Sequence, residues 1–390
     1  MTADFGSRVA SARKRRGLSQ RDLATAAGLS LSLVKKVEQG QRETVRLETL
    51  RALAVALRVR TTVLQGAHTD AEWADEATVD LWEPVRRALA GGPDDLEDRP
   101  SIDGVRAVYD GLRPALTAHR YTEVAAALPA LLRDADALDE RDGRAIRSRI
   151  LGMVGWLLVQ NRQFDTATEA LTRAIDQAPD RGTAVAAVNA QVWNHLRQGE
   201  LALAAELAQQ WADDIEPRFS RATGLQLALW GRLWLYVANV GVRDNSPGLT
   251  DDALALARAA ADRIGREVTY DPSPHRPFGP VTVAQIAGEC AVITGHPERA
   301  IAIGESIPAT AVVSATAAPR LRHRLDVAKA HTQLRQYGEA IAVMRELHHT
   351  APEWLPQQRY ARDILGEIIR GRRTLTDDMR TLADAIRLEY

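Results

Sequence analysis

The chain has 390 residues, 45% of them hydrophobic and 26% charged, so it exceeds one ordinary domain and carries ample material for globular cores. A single cysteine, Cys290, excludes an intramolecular disulfide and fits a reducing cytoplasm. The formal charge of −1 hides a split. Residues 1–65 hold thirteen Arg and Lys against five Asp and Glu, near +8, which leaves everything after residue 65 near −9. This distribution sets a phosphate-seeking amino-terminal domain on an acidic body.

The amino terminus, M-T-A-D-F-G-S-R, has no apolar signal region. Phe5, Val9 and Ala12 are spaced to line one face of a first helix that ends at Gly17-Leu18. The next stretch, S-Q-R-D-L-A-T-A-A-G-L-S-L-S-L-V-K-K-V-E-Q-G over 19–40, reads as two short helices joined by a glycine corner. Ser19 caps the first, with Asp22 three places on as its partner acceptor. Leu23, Ala24 and Ala27 form its inner face, and Gly28 supplies the left-handed residue that stops it. Ser30 caps the second helix, whose Val34 and Val37 point inward and whose Leu31, Ser32, Lys35 and Lys36 point out. Leu47, Leu50, Leu53, Ala54 and Leu57 mark a fourth helix, and Thr61–Leu64 a short fifth. A helix-turn-helix presents a recognition helix to DNA in this way.

On these residues, 5–65 resemble the Cro/repressor-type (Xre) DNA-binding domain. The resemblance implies that Gln20 braces the backbone phosphates beside the recognition helix. It implies that Leu31, Ser32 and Lys36 face base edges, with Ser30 and Lys35 alongside. Arg13 and Glu38 would form an internal ion pair, and Arg42 and Arg46 would contact phosphates, Arg46 reaching toward the minor groove. Leu31 and Leu33 stand where the family often has polar residues, so readout would rest partly on apolar contact with thymine methyls.

From Gly66 to Arg99 the composition shifts to an acidic linker, with ten Asp and Glu against three Arg. A helix is expected over Ala74–Ala90, with Val79, Trp82, Val85 and Leu89 as its apolar stripe and Gly91-Gly92-Pro93 as its end. Two readings stand for it: a solvated connector, or an acidic helix that masks the basic head.

Beyond residue 100 the signal is self-similarity. Gly155, Leu158, Phe164, Ala167, Leu171, Ala174 and Pro179 fall in the small, aromatic and proline slots of a tetratricopeptide (TPR) hairpin. Leu201 and Ala204, Pro297 and Ala300, Tyr337 and Ala340, and earlier Tyr121 and Val124, repeat the Phe164/Ala167 pair. A degenerate unit anchored on Ala253 is broken by an expected loop over Asn239–Thr250. The apolar run 225–240 carries Arg232 and is too short and aromatic for a membrane span, so it reads as a buried helix. Five or six hairpins thus stack into a right-handed solenoid closed by a helix near Asp377–Leu388, because one hairpin alone has too little core.

The repeat register assigns groove-lining positions on the first helix of each unit. They are Arg113, Trp156, Trp193, Arg232, Glu289 and Lys329 in one row, with Tyr109, Asn189 and Gln285 a turn earlier and Arg106, Arg149 and Arg322 at the mouth. Amides and arginines in one trough suit a peptide with its terminal carboxylate, or a small metabolite. The tryptophans are equally well read as core between repeats. Asp271–Pro280, with four prolines, cannot be helical. It is either a stiff connector or a lid that offers His275, Arg276 and Phe278 to a ligand.

No catalytic constellation is present: the sequence contains no G-x-x-x-x-G-K-[ST], G-x-G-x-x-G, H-E-x-x-H or G-x-S-x-G. His348 and His349 face different sides of a helix, and Cys290 sits among apolar residues, so neither an enzyme nor a metal or cofactor site is expected. The two halves together are similar to TPR-containing Xre-type regulators of high-GC bacteria, and more distantly to the peptide-sensing RRNPP regulators. The resemblance implies an all-α protein. Residues 1–66 would form a five-helix DNA-binding domain, 67–100 an acidic linker, and 101–390 a solenoid that binds an effector and dimerises. The implied protein is a cytoplasmic transcription factor on an inverted-repeat operator, with no membrane partner. Two other classes remain: a solenoid that recruits a protein partner without an effector, and a cytoplasmic scaffold with a vestigial head.

Overall fold

The structure, a computed structural model, describes residues 5–42, 45–65, 80–91, 99–138, 140–270, 273–308, 318–372 and 375–388. Among these residues the fold is all-α apart from one short hairpin. The amino-terminal domain comprises α1 (Phe5–Arg15), α2 (Gln20–Ala27), α3 (Leu31–Glu38), α4 (Leu47–Leu57) and α5 (Thr61–Gln65). Its core is most of the set the periodicity marks: Phe5, Val9, Ala12, Leu23, Ala24, Val34, Val37, Leu50, Leu53, Ala54 and Leu57, joined by Leu64, while Ala27 and Leu47 are half-buried at its edge. Arg58 closes α4 in the left-handed region at φ 53°.

The linker helix differs from both expectations. It is α6 (Glu83–Ala90), preceded by Trp82 at its N-cap; Ala74 to Val79 lie outside the described residues. Trp82, Val85 and Leu89 are buried in the first solenoid layer, with Trp82 edge-on to Tyr121 at 6.3 Å. The cause is the apolar stripe itself, which finds a partner face in the next hairpin. Burying it there gains more than leaving it solvated. Pro84 at the start and the Arg86 pairs to Glu83 and Asp80 fix the helix N-terminus.

The solenoid continues with α7 (Ile102–Gly111), α8 (Arg113–Thr117) and α9 (Tyr121–Asp136). Paired helices follow: α10 (Glu140–Gln160) with α11 (Phe164–Asp176), α12 (Arg181–Gln198) with α13 (Leu201–Asp214), and α14 (Gly224–Arg243) with α15 (Pro247–Ile264). The repeat slots pack as their sizes demand. A Cβ on Gly155 would lie 2.4 Å from Leu171 Cγ, so the glycine lets α10 and α11 touch. The run 225–240 is the buried middle of α14; among the described residues no helix is long and apolar enough to cross a membrane. The expected loop over Asn239–Thr250 shrinks to Asp244-Asn245-Ser246. Helix α14 runs on through Arg243, Asn245 turns at φ 54°, and Pro247 opens α15, a position where its missing N–H costs nothing.

Next come the antiparallel hairpin β1 (Val268–Tyr270) and β2 (Ser273–Phe278), then α16 (Pro280–Ile293) with α17 (Pro297–Ser306) and α18 (Ala318–Gln333) with α19 (Tyr337–Thr350). Phe278 is a core residue, 1% exposed, wedged so closely on α14 that a Cβ at Gly231 would lie 2.2 Å from its ring. It is therefore not offered to a ligand. The side chains of His275 and Arg276 lie outside the described set. A 3-10 turn at Leu355–Gln357 leads to α20 (Arg359–Gly371), which the repeat register did not anticipate, and α21 (Asp377–Ala385) closes the array. Ala361, Ile364, Leu365 and Ile368 bury one face of α20 against the last hairpin.

Candidate nucleic-acid interface and solenoid polar cluster

The turn between α2 and α3 is built by three local devices. Ser19 Oγ accepts from Asp22 N at 3.1 Å while Asp22 Oδ2 accepts from Ser19 N at 2.9 Å, a reciprocal box. These bonds hold the exposed Asp22 carboxyl below its ordinary value. Gly28 adopts φ 65°, and Ser30 Oγ accepts from Leu33 N at 3.2 Å. Helix α3 is then pressed on α1, where a Cβ on Gly6 would lie 2.2 Å from Val37 O.

Glu38, at the end of α3, gathers three donors. Arg13 approaches it at 2.6 Å through Nε and 2.9 Å through Nη2, and Gln20 Nε2 donates at 2.8 Å. Burial alone would raise the Glu38 carboxyl, but these donors outweigh it and hold it below its usual range. The amide of Gln20 thus braces α3 from within the domain. Ser32, Lys35 and Lys36 stand exposed on the outer face, while Leu31 and Leu33 lie half-buried against the domain core. Ser30 is exposed and spends its hydroxyl on the cap. Arg42 is exposed after α3; Arg46 pairs with Asp363 of α20 at 2.6 Å.

Several of the thirteen cations serve the fold. Arg8 donates to Leu64 O at 2.8 Å, Arg16 to Leu57 O at 2.9 Å, and Arg51 to Val242 O of the solenoid at 2.9 Å. Composition counts these charges, but only geometry separates them from Lys35 and Lys36.

The groove positions divide. Arg106 and Arg113 are exposed; Arg106 pairs with Asp103 within α7, and Arg113, at the start of α8, pairs with Asp110 near the end of α7. Tyr109, Trp156 and Gln285 are buried, and Arg149 is half-buried. Asn189 is 1% exposed and gives its Nδ2 to Val185 O at 3.0 Å. Trp193 lies between Tyr236, at 6.1 Å, and the Arg197 guanidinium, at 5.6 Å. Arg232 donates to Pro277 O over the Phe278 ring, and Lys329 meets Glu367 at 2.5 Å.

Glu289 and Arg322 do come together, at the centre of a cluster on α14, α16, α18 and α20. Glu289 accepts from Arg243 at 2.5 Å and Arg322 at 3.3 Å. Arg322 stacks on Tyr360 at 4.4 Å and lies 3.9 Å from Asp326. Burial would raise Glu289, but the two guanidinium groups prevail and keep it ionised. Burial and then the Glu289 charge push the Asp326 carboxyl well above the usual carboxylate range. Burial lifts the Cys290 thiol to about 12, which leaves it unreactive. Burial, then Arg322 and Arg162, lower Arg197 to about 9, and it stays charged at neutral pH. Arg243, Asp326 and Tyr360 escaped the sequence reading. The spacing of Arg322 and Asp326 was a local signal, whereas Arg243 lies in the last turn of α14, where a loop was expected, and Tyr360 arrives from α20, outside the register.

Several buried polar atoms lack a hydrogen-bond partner: Asn189 Oδ1 and Trp193 Nε1 on α12, and in the cluster Arg322 Nε and Asp326 Oδ1, which face each other as an ion pair at 3.9 Å. Atoms of this kind are uncommon in a closed core and suit a polar guest.

A family model of the helix-turn-helix domain matches residues 4–65. No curated protein and no solved structure matches the chain. The amino-terminal unit is therefore a helix-turn-helix domain, which marks the chain as a DNA-binding regulator.

Proposed function

We propose that the chain is a sequence-specific transcriptional regulator of the Xre type whose TPR-type solenoid senses an effector and dimerises. It would act in the cytoplasm by binding alone, without catalysis. The observation that carries the DNA half is α3: capped by Ser30, braced by Glu38, and presenting Ser32, Lys35 and Lys36 outward. Gln20, Arg42 and Arg46 are the phosphate candidates around it. One such head contacts few base pairs, so two heads on an inverted repeat would supply useful specificity.

The effector half rests on the arginine-rich cluster about Glu289 and on Asn189 Oδ1 and Trp193 Nε1, buried atoms that make no hydrogen bond. An acidic ligand, a peptide carboxylate or a small carboxylate metabolite, would exchange with Glu289 for Arg243 and Arg322. The test of the DNA reading is selection from a random duplex library with wild-type protein and with Lys36→Glu. Enrichment of an inverted repeat that the variant loses is expected; no enrichment by either protein sinks the reading. For the effector, solution scattering and affinity for the selected duplex are measured with and without pools of acidic peptides and metabolites. Unchanged values with every pool refute sensing, and a stoichiometric protein recovered on the solenoid replaces it with recruitment.

A further inference from the structure

The helix-turn-helix domain is seated on the solenoid through α4 and α5. Three consecutive residues at the end of α14 receive it. Arg51 Nε donates to Val242 O at 2.9 Å, and Thr61 Oγ1 to Arg243 O at 2.6 Å. Thr62 gives both its N–H and its hydroxyl to Asp244 Oδ1, each at 2.8 Å. Thr61 is fully buried and Asp244 is 6% exposed, so this shelf is sheltered from water. Leu47 packs against both the domain core and the solenoid core. Further along the same seam, Arg46 pairs with Asp363 at 2.6 Å, and Glu48 lies 3.7 Å from Lys329.

Arg46 stands just before α4, and its side chain is 53% exposed, within reach of a phosphate. Carboxylate and phosphate oxygens compete for the same guanidinium donors. An exposed pair of this sort is weak and exchangeable, whereas the sheltered Asp244 bonds set how firmly the domain is held.

We propose that the solenoid keeps its own DNA-binding domain docked on the 242–244 shelf with Asp363 occupying the guanidinium that duplex DNA needs, so that docking and DNA binding compete. The inference rests on reading residues 5–65 as the DNA-binding domain. Linkage makes the competition reciprocal: what loosens the seat tightens DNA binding, and DNA loosens the seat. The seat also adjoins the polar cluster. Arg243 offers its carbonyl to Thr61 and its guanidinium to Glu289, and Lys329 bridges Glu367 and Glu48. A guest at the cluster would bear directly on the shelf.

The experiment uses the full chain and a 30-base-pair duplex of mixed sequence. Asp363→Asn is expected to tighten binding about threefold and to steepen the slope of log affinity against log salt by about 0.9, one phosphate contact. Asp378→Asn removes an equal charge from the pair with Arg345, 3.0 Å long, and is expected to change neither. In an Arg46→Ala background Asp363→Asn is expected to have no effect. Deuterium uptake over Thr61–Gln65 should rise in Asp244→Ala, and in wild type saturated with duplex. Equal affinity and slope in Asp363→Asn and wild type, an effect that survives Arg46→Ala, or unchanged uptake at saturation each overturns the competition while leaving DNA binding intact. Failure of every protein, Asp363→Asn included, to bind duplex overturns the DNA-binding reading together with it.

Discussion

Glu38→Ala removes the one acceptor that joins three helices of the DNA-binding domain. The Glu38 side chain is 5% exposed and that of Arg13 12%, so the pair is largely desolvated. Breaking a buried pair by deleting one partner costs about 3–5 kcal/mol, because the remaining charge is stranded. Arg13 keeps its bond to Leu18 O at 2.7 Å and some access to water, which puts the expected loss at about 2–3 kcal/mol. A domain of this size seldom has more than about 3–5 kcal/mol of stability, so α2 and α3 should open often. All eight tryptophans lie outside residues 1–65, and fluorescence-detected unfolding should therefore not change. The assay is hydrogen exchange of α2 and α3 amides in the full chain, with duplex affinity measured in parallel. Exchange raised by less than about threefold, under about 0.7 kcal/mol, would refute the brace. Arg13→Met with Glu38→Gln, which removes both charges, should recover most of the protection.

The same carboxylate gives a pH dependence. Its folded pKa lies below the usual 4.5, so its stabilisation is present above that pH and is lost as pH falls through the lower folded value. Glu38→Gln should flatten the acid loss of exchange protection in α3 below about pH 4.5; an unchanged profile counts against it. In the solenoid, burial and then Arg324 push His323 from 6.5 down to about 4. The unfolded chain binds a proton there that the folded chain refuses, so stability should fall by about 2–3 kcal/mol between pH 7 and 4.5. His323→Gln should remove that part of the loss in urea unfolding followed by tryptophan fluorescence, and equal losses in both proteins would discard the assignment. Gly231→Ala places a methyl 2.2 Å from the Phe278 ring, an overpacking expected to cost about 1–3 kcal/mol. Its urea midpoint should drop and partly recover when Phe278→Leu is added; a midpoint equal to wild type refutes the wedge.

The helix-turn-helix was legible because its instructions are local. Ser19, Asp22, Gly28 and Ser30 each act on backbone groups within a few residues, and the inward positions repeat every three or four. The hairpins were legible for the same reason, through Gly155, Phe164, Ala167 and their counterparts. Where a residue's role depended on a distant partner, sequence reasoning stopped. Trp82, Val85 and Leu89 read as a connector's stripe until α9 was seen beneath them. Phe278 read as part of a stiff connector or a lid until Gly231 was seen to make room for its ring. Helix α20 has a clear apolar face but no repeat register to announce it.

Element type, capping and the charge split were thus determined by the sequence itself, since short-range hydrogen bonds and hydrophobic periodicity need no knowledge of the rest of the chain. Apart from Arg13 and Glu38, whose pairing the family resemblance implied, tertiary structure decided which distant charges meet. It spent Arg8, Arg16 and Arg51 on carbonyl groups, gathered Arg243, Glu289, Arg322, Asp326 and Tyr360 from four helices, and set Arg46 against Asp363 across more than three hundred residues. Electrostatic partners are fixed by distance in space, and a linear sequence carries that distance only after the hydrophobic faces have chosen how the helices stack.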